Sequence, residues 1–294
     1  MRITQTMLQN NMLNNLFKSQ AQMHKYLTQI NTGKKITRPS EDPVIAMKGM
    51  GYRTEVAEVE QFRRNASEAW SWLDHSDDVL DKATKAVQRI EYLAVQAANG
   101  TYGEDERAAI AQEVRQLREQ IAELANTQVN GKYIFNGTDT DQPPIDVTNF
   151  TANFDADNMH MVKFEISKGV TFEVNVSPVG IFDNELFTSI GNFIDRLENP
   201  DQAHELNDSI GELNEGMLNI INGRAELGAR MNRLELIEDR LSHQEIIAKD
   251  TMAKNEGVDF EEAVMNLLTQ EVIHRAALSA GAKIIQPSLV DFLR

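Results

Sequence analysis

Apolar residues recur along this chain with the rhythm of helical seams, most clearly at its two ends. Stepping alternately by four and three from Val264 visits Val264, Leu268, Glu271, Arg275, Leu278, Ala282, Ile285, Leu289 and Phe292, seven of nine apolar. That is the pattern of a coiled-coil seam. Asp259, with Glu262 three residues on, supplies the cap and the returning acceptor of a capping box. From Leu13 the same rhythm reads Leu13, Leu16, Gln20, Met23, Leu27 and Ile30, five of six apolar. Apolar surface left in water costs about 25 cal/mol per Å², and a lone helix of such length is marginal. The two end seams are therefore expected to bury against each other, against other copies of the chain, or both.

Between the ends lie two much longer helical patterns. Ile45, Tyr52, Val59, Ala66, Leu73, Leu80, Val87 and Ala94 recur every seven residues. Val56 and Trp70 fill partner positions, while Arg63 and Asp77 break the line. Asp42-Pro43 opens this helix, with Pro at its first position, and Asn99-Gly100 ends it. From Leu206 to Met252 the same stepping meets eleven apolar residues in fourteen. Gly211, Gly216, Gly223 and Gly228 each weaken that helix by up to about 1 kcal/mol, a cost that close packing would offset. A helix over 104–128 and another carrying Phe187, Ile190, Ile194 and Leu197 complete the set. Gly33 is the stop of the first helix, Asn255-Glu256-Gly257 breaks before the last, and Pro287 should kink or end it.

The middle of the chain changes period. Tyr133-Ile134-Phe135 reads as a short strand halted by the turn dipeptide Asn136-Gly137. Residues 133–162 hold five Asp and no Lys, Arg or Glu, the composition of surface loop. Val162-Phe164-Ile166 and Val170-Phe172-Val174-Val176 alternate with polar residues. A three-residue loop, Ser167-Lys168-Gly169, would pair Ile166 with Val170 and Phe164 with Phe172. The expected fold is mainly α with a small β insert: a long coiled-coil-like helical rod whose N- and C-terminal helices pair at one end. Its divisions are residues 1–42 plus 255–294 as a terminal helical assembly domain, 43–135 plus 183–254 as a long-helix domain, and 136–182 as a β-rich outer insert.

Charge and composition narrow the function. The net charge of −16 argues against general nucleic-acid binding, but residues 1–40 hold six basic residues and no acid, leaving −22 on the remainder. There is no cysteine, so no thiolate metal site or cysteine nucleophile is expected. No apolar run approaches the roughly 20 residues that span a bilayer. The polar N-terminus lacks the unbroken apolar region of a secretory signal, so the chain is expected in the cytosol, or exported without a cleaved signal. Six His are scattered, with no HExxH, and Glu271-x-x-His274 is half of a di-iron signature that needs two. Asp139-x-Asp141 and Asp155-x-Asp157 lack the Gly and bidentate Glu of a calcium loop. No cofactor, metal or catalytic residue is expected.

Several stretches resemble the bacterial flagellin family. Ile30-Asn31-Thr32-Gly33-Lys34-Lys35-Ile36 leading into Arg38-Pro39-Ser40-Glu41-Asp42-Pro43-Val44 is similar to its N-terminal region. So are Gln96-Ala97-Ala98-Asn99-Gly100-Thr101 and Val129-Asn130-Gly131-Lys132, and Gly228-Ala229-Arg230-Met231-Asn232-Arg233-Leu234 resembles the start of its C-terminal region. The Arg-Pro-Ser-Glu-Asp-Pro run, Gly131–Thr138 and the Ser288–Leu293 ending resemble the hook–filament junction members rather than filament flagellins. The resemblance implies a structural, non-enzymatic subunit exported through the flagellar type III apparatus with a chaperone, and assembled as a ring between the first hook-associated protein and flagellin. Leu13, Leu16, Met23, Leu27, Ile30, Val264, Leu268, Leu278, Ala282, Ile285, Leu289 and Phe292 are the expected assembly interface. The rival readings are a bulk filament flagellin and a cytosolic helical-bundle enzyme.

Overall fold

Six helices carry most of the chain in this computed structural model, which describes residues 5–98, 103–154, 160–199 and 205–285. The expected helix stop at Asn99-Gly100 and the pair Asp155 and Asp157 lie outside the described residues. The helices are α1 (Gln5–Thr32), α2 (Pro43–Ala98), α3 (Glu104–Ala125), α4 (Asn184–Glu198), α5 (Leu206–Glu256) and α6 (Phe260–Ile285). Most of their ends have a local cause. Gly33 takes φ +66° after α1, and the Asp42 carboxylate accepts from Val44 N and Ile45 N at the head of α2. Asp183 caps α4 through Leu186 N, and Asp259 caps α6 through Glu262 N. Among the described residues, no helix is long and apolar enough to cross a membrane. The chain divides into two units, residues 1–58 with 244–294 and residues 59–243.

The second unit holds the hydrophobic core, one cluster whose buried members run from Val59 to Leu241. On α2, Val59, Ala66, Leu73, Leu80, Val87 and Ala94 are all buried, the seven-residue line that the sequence shows. Val56 is buried as well and Trp70 packs against the core, as expected, while the gaps left by Arg63 and Asp77 are filled from the neighbouring positions. Phe62, Ala69, Ser76, Ala83, Ile90 and Ala97 line this half of the seam beside Trp70. Small residues fit between helices and leave little trace in an apolar rhythm. On α5 the same thing happens. Leu206, Leu213, Ile220, Leu227, Leu234 and Leu241 are buried, and the positions between them include Ser209, Gly216 and Gly223. A Cβ on Gly216 would stand 2.7 Å from Leu186, and one on Gly223 would collide with Ile181. Close packing therefore explains two of the four glycines; Gly211 and Gly228 have open space around them.

Two of the charges that interrupt the long seams, Asp77 and Arg224, satisfy each other. Arg224 of α5 donates to Asp77 at 2.9 Å and to Asp81 at 2.6 Å, both on α2. The hydrogen bond from Lys85, and after it the one from Arg224, holds the Asp81 carboxyl below its usual value.

Three two-stranded antiparallel pairs make up the β structure among the described residues. The first pairs β1 (Gln128–Val129) with β2 (Lys132–Tyr133) across Asn130-Gly131, both with positive φ. The turn is thus one Asn-Gly earlier than expected, and α3 stops at Ala125 rather than Gln128. Ile134 and Phe135 leave the ladder and are fully buried, Phe135 meeting Phe182 edge-on at 5.1 Å. β3 (Ile145–Asp146) pairs with β4 (Thr151–Ala152) inside what composition marks as loop. Ile145 is buried there, tied by both its backbone groups to the Asn126 amide. In the third pair, β5 (Lys163–Ser167) and β6 (Val170–Glu173), Phe164 faces Phe172 as expected. Ile166, however, is a bulge, so Ser167 pairs with Val170. The bulge turns Ile166 into the core, where it is fully buried.

Core position and bare position should respond differently to truncation. Leu80→Ala should lower the unfolding free energy by about 2–5 kcal/mol. Leu268→Ala, at an exposed site of the other unit, should stay within about 0.5 kcal/mol. Urea denaturation followed by fluorescence of Trp70 and Trp72 checks both.

Candidate assembly surface

The first unit is a pair of antiparallel helices joined to the ends of the two long ones. Met12 of α1 fills the space in front of Gly281 of α6, and Gln270 donates to Ser19 Oγ at 3.4 Å. The covered line on α1 is Met12, Leu16, Ser19, Met23, Tyr26 and Ile30. On α6 it is Ala263, Leu267, Gln270, His274, Ala277 and Gly281. Both follow the four-three rhythm, yet only Ser19, Ala263 and Gly281 of these are fully buried. The α6 line stands one residue before the sequence seam at every step, with the small Ala263, Ala277 and Gly281 among its members and Met12 packed over Gly281.

That one-residue offset decides where the expected interface lies. Leu268 and Leu278 are 56% and 48% exposed, and Leu13, Leu27 and Ala282 are also exposed. Leu16, Met23, Ile30 and Val264 are half-buried. Ile285 is the last residue of α6, and Leu289, Phe292 and Pro287 lie outside the described residues. Other bare apolar residues accompany them: Met7, Leu8 and Phe17 on α1, and Phe260, Met265, Val272 and Ile273 on α6. Val44, Met47 and Met50 at the start of α2, and Ile246 and Ile247 near the end of α5, are bare as well. A single seam followed along each helix passes over these; a second stripe such as Met265, Val272 and Ile273 is visible once helical faces are drawn completely.

Burial in this unit is correspondingly thin. Among its described residues, the fully buried apolar ones are Val56, Ala248 and Ala263. Sixteen large apolar side chains are exposed among the described residues of this unit, against eight in the larger one. Exposed large apolar side chains gathered in one unit in this number mark an interaction surface.

The unit is tied together by polar contacts instead. Lys35 N donates to Glu256 O at 2.7 Å, Val258 N donates to Gly33 O at 3.0 Å, and Asn255 Nδ2 donates to Ile45 O at 3.1 Å. The Glu256 carboxylate is buried and meets Arg53 Nη2 at 2.6 Å and Lys34 Nζ at 3.7 Å. Gly49 makes room for it, since a Cβ there would stand 2.6 Å from Glu256 Oε1. The Arg53 hydrogen bond, opposed by burial and helped by the charges of Arg53 and Lys34, holds the Glu256 carboxyl below its usual value. Beside this tie, Glu41 accepts from Thr37 N at 2.9 Å and shapes the loop after α1. Glu271 pairs with Arg275, and among the described residues no His, Asp or Glu cluster could hold a metal ion.

Long helices, a small β insert and paired terminal helices are the build of a helical structural protein. The bacterial flagellin N-terminal helical region matches residues 3–140, and the bacterial flagellin C-terminal helical region matches residues 210–293. The chain belongs to the bacterial flagellin family, the structural proteins of the flagellum. It is similar to Flagellar hook-associated protein 3 of Escherichia coli (strain K12), 28% identical over 300 residues and 94% of each chain. It is also similar to the Flagellar filament 31.3 kDa core protein of Treponema maltophilum, 26% identical over 279 residues and 92% of each chain. The crystal structure of Bacillus cereus FlgL matches with a TM-score of 0.60 and 25% identity, covering 69% of this chain and 99% of that one.

A depressed Glu256 gives the tie a pH signature. A carboxyl lowered on folding contributes stability that is complete above its unfolded value, near 4.5, and is lost as pH falls through the folded value. Glu256→Gln should cost about 1–3 kcal/mol at pH 7, with the difference from the parent shrinking below about pH 4. Melting of the α1–α6 pair by circular dichroism across that range checks the prediction.

Proposed function

We propose that this chain is a structural adaptor of the flagellum, joining the hook, through the first hook-associated protein, to the flagellin filament. Copies assemble into a ring through the terminal helices: Leu13 and Leu27 on α1 and Leu268, Leu278 and Ala282 on α6 stand exposed, while Leu16, Met23, Ile30 and Val264, half-buried within the α1–α6 pair, border that surface. Ile285, Leu289 and Phe292 extend the second face along the sequence. In this reading residues 1–42 plus 255–294 serve assembly, 43–135 plus 183–254 supply length, and the β insert 136–182 stands outward. Export proceeds through the flagellar apparatus with a chaperone and without a cleaved signal.

The carrying observation is the imbalance within the terminal unit, where almost nothing apolar is fully covered while Leu268, Leu278 and their neighbours stand bare. The likeness to hook-associated protein 3 along 94% of the chain supports the junction rather than another flagellar place. The likeness to a Treponema filament core protein favours one rival, a bulk filament flagellin. Copy number separates them, one ring against a whole filament. Immunogold labelling should show label only at the distal end of the hook; label along the filament would establish the rival.

Charge on the proposed interface should break the joint without stopping export. Leu278→Asp should leave the chain secreted and release flagellin monomer into the medium, as read by immunoblot of culture supernatant. Unchanged swimming in this variant would contradict the interface.

A further inference from the structure

Resting on that self-assembly reading, we propose that neighbouring copies dock head to tail, the acidic first turn of α6 of one copy seating at a basic pocket on α1 of the next. The pocket is a cavity of about 250 Å³ between α1 and the loop that follows it. Lys25, Arg38, His24 and Thr28 line it. Its one acid, Glu41, is already engaged by the Thr37 backbone and hydroxyl. Other cations of this unit are also engaged: Lys34 and Arg53 on Glu256, and Lys35 on Lys254 O. Lys25 and Arg38 make no ion pair or side-chain hydrogen bond among the described residues, and the carboxylate that feels the Lys25 charge is Glu41.

The matching surface lies on the same unit. Asp259, Glu261 and Glu262 are exposed, with Phe260 bare between them. Glu261 and Glu262 form no ion pair among the described residues. Such acids favour a helix start in any case, so their sign alone assigns nothing; position does. At about 100° per residue, Lys25 sits about 140° from the middle of the covered line on α1. Glu261 sits about 160° from that on α6. The basic and acidic surfaces therefore face away from the α1–α6 contact in opposite directions, and one chain cannot bring them together. Two copies can, and repetition of one unlike contact generates a ring or a helix. The acid-free first 40 residues and the −22 on the rest make the attraction general as well as local. Bare Phe17 and Leu268 lie on the same helices and supply apolar area beside it.

The chain has no cysteine, so Lys25→Cys with Glu261→Cys creates a single designed pair. Within one chain the two positions exceed the roughly 7 Å between Cα atoms that a disulfide spans. Flagella isolated from cells producing this full-length variant are oxidised and run on a non-reducing gel. A ladder of dimers and larger multimers is expected, with monomer alone from either single variant. A double variant present in the flagella but running as monomer overturns the head-to-tail seat, as do dimers from a single variant. Wild-type chain missing from isolated flagella overturns the assembly reading and this contact with it. Charge exchange gives a second arm. Lys25→Glu with Arg38→Glu, or Glu261→Lys with Glu262→Lys, should each reduce incorporation on the order of tenfold. All four changes in one chain should restore it; a quadruple variant no better than the halves overturns the contact.

Discussion

Two helices laid against each other can cover only one face apiece, and α6 gives that face largely to small and polar residues, which meet the larger Met12, Leu16, Met23, Tyr26 and Ile30 of α1. Ser19, Gln270, Ala277 and Gly281 let the backbones approach, with Met12 lodged over Gly281. The consequence is that Leu13, Phe17, Leu268 and Val272 remain in water. Had Leu268, Val272 and Leu278 of α6 been turned inward as well, the pair would be more stable alone and would present a more polar exterior. The choice of which residues face inward thus fixes what the outside can do.

The other unit shows the opposite arrangement. Its long helices place Leu73, Leu80, Val87, Leu213, Ile220 and Leu227 in one continuous cluster, and the β region adds Phe135, Ile166 and Phe172 to it. Polar groups there act as local fasteners: Arg224 on Asp77 and Asp81, Asn126 on Ile145, Arg230 on Asn175 O. In the terminal unit a polar tie does more of the holding, because few apolar contacts share the task. Glu256 collects Arg53 and Lys34, next to the backbone bonds that link Gly33 and Lys35 to Val258 and Glu256.

The helices are legible in the sequence because their large apolar residues keep step, and several of their ends because Gly33, Asp42 and Asp259 act locally. Which face meets which is not. Hydrophobic stepping weights Leu268 over Leu267 and Val264 over Ala263, while the close helix contact prefers the smaller neighbour at its ends. Stepping therefore draws the bare stripe and passes over the covered one. The same blindness to Ala, Ser and Gly conceals Ala69, Ala83 and Gly223. Asp77 and Arg224 look like defects separately, since pairing across 147 positions has no local signal. The hairpin differences are local: two Asn-Gly dipeptides compete in 130–137, and a bulge at Ile166 is favoured by burial that alternation does not record.

The proposed joint between two different polymers calls for a subunit with one well-covered unit and one that is left bare, and this division of burial fits that reading. Hydroxyl-radical footprinting of free chain and of isolated flagella tests it most directly. The account predicts that Met7, Met47, Met50 and Met265, all exposed in the single chain, are oxidised when free and protected when assembled, while Tyr92 and Leu236 of the other unit change far less. Equal oxidation of those four methionines in both states would contradict it.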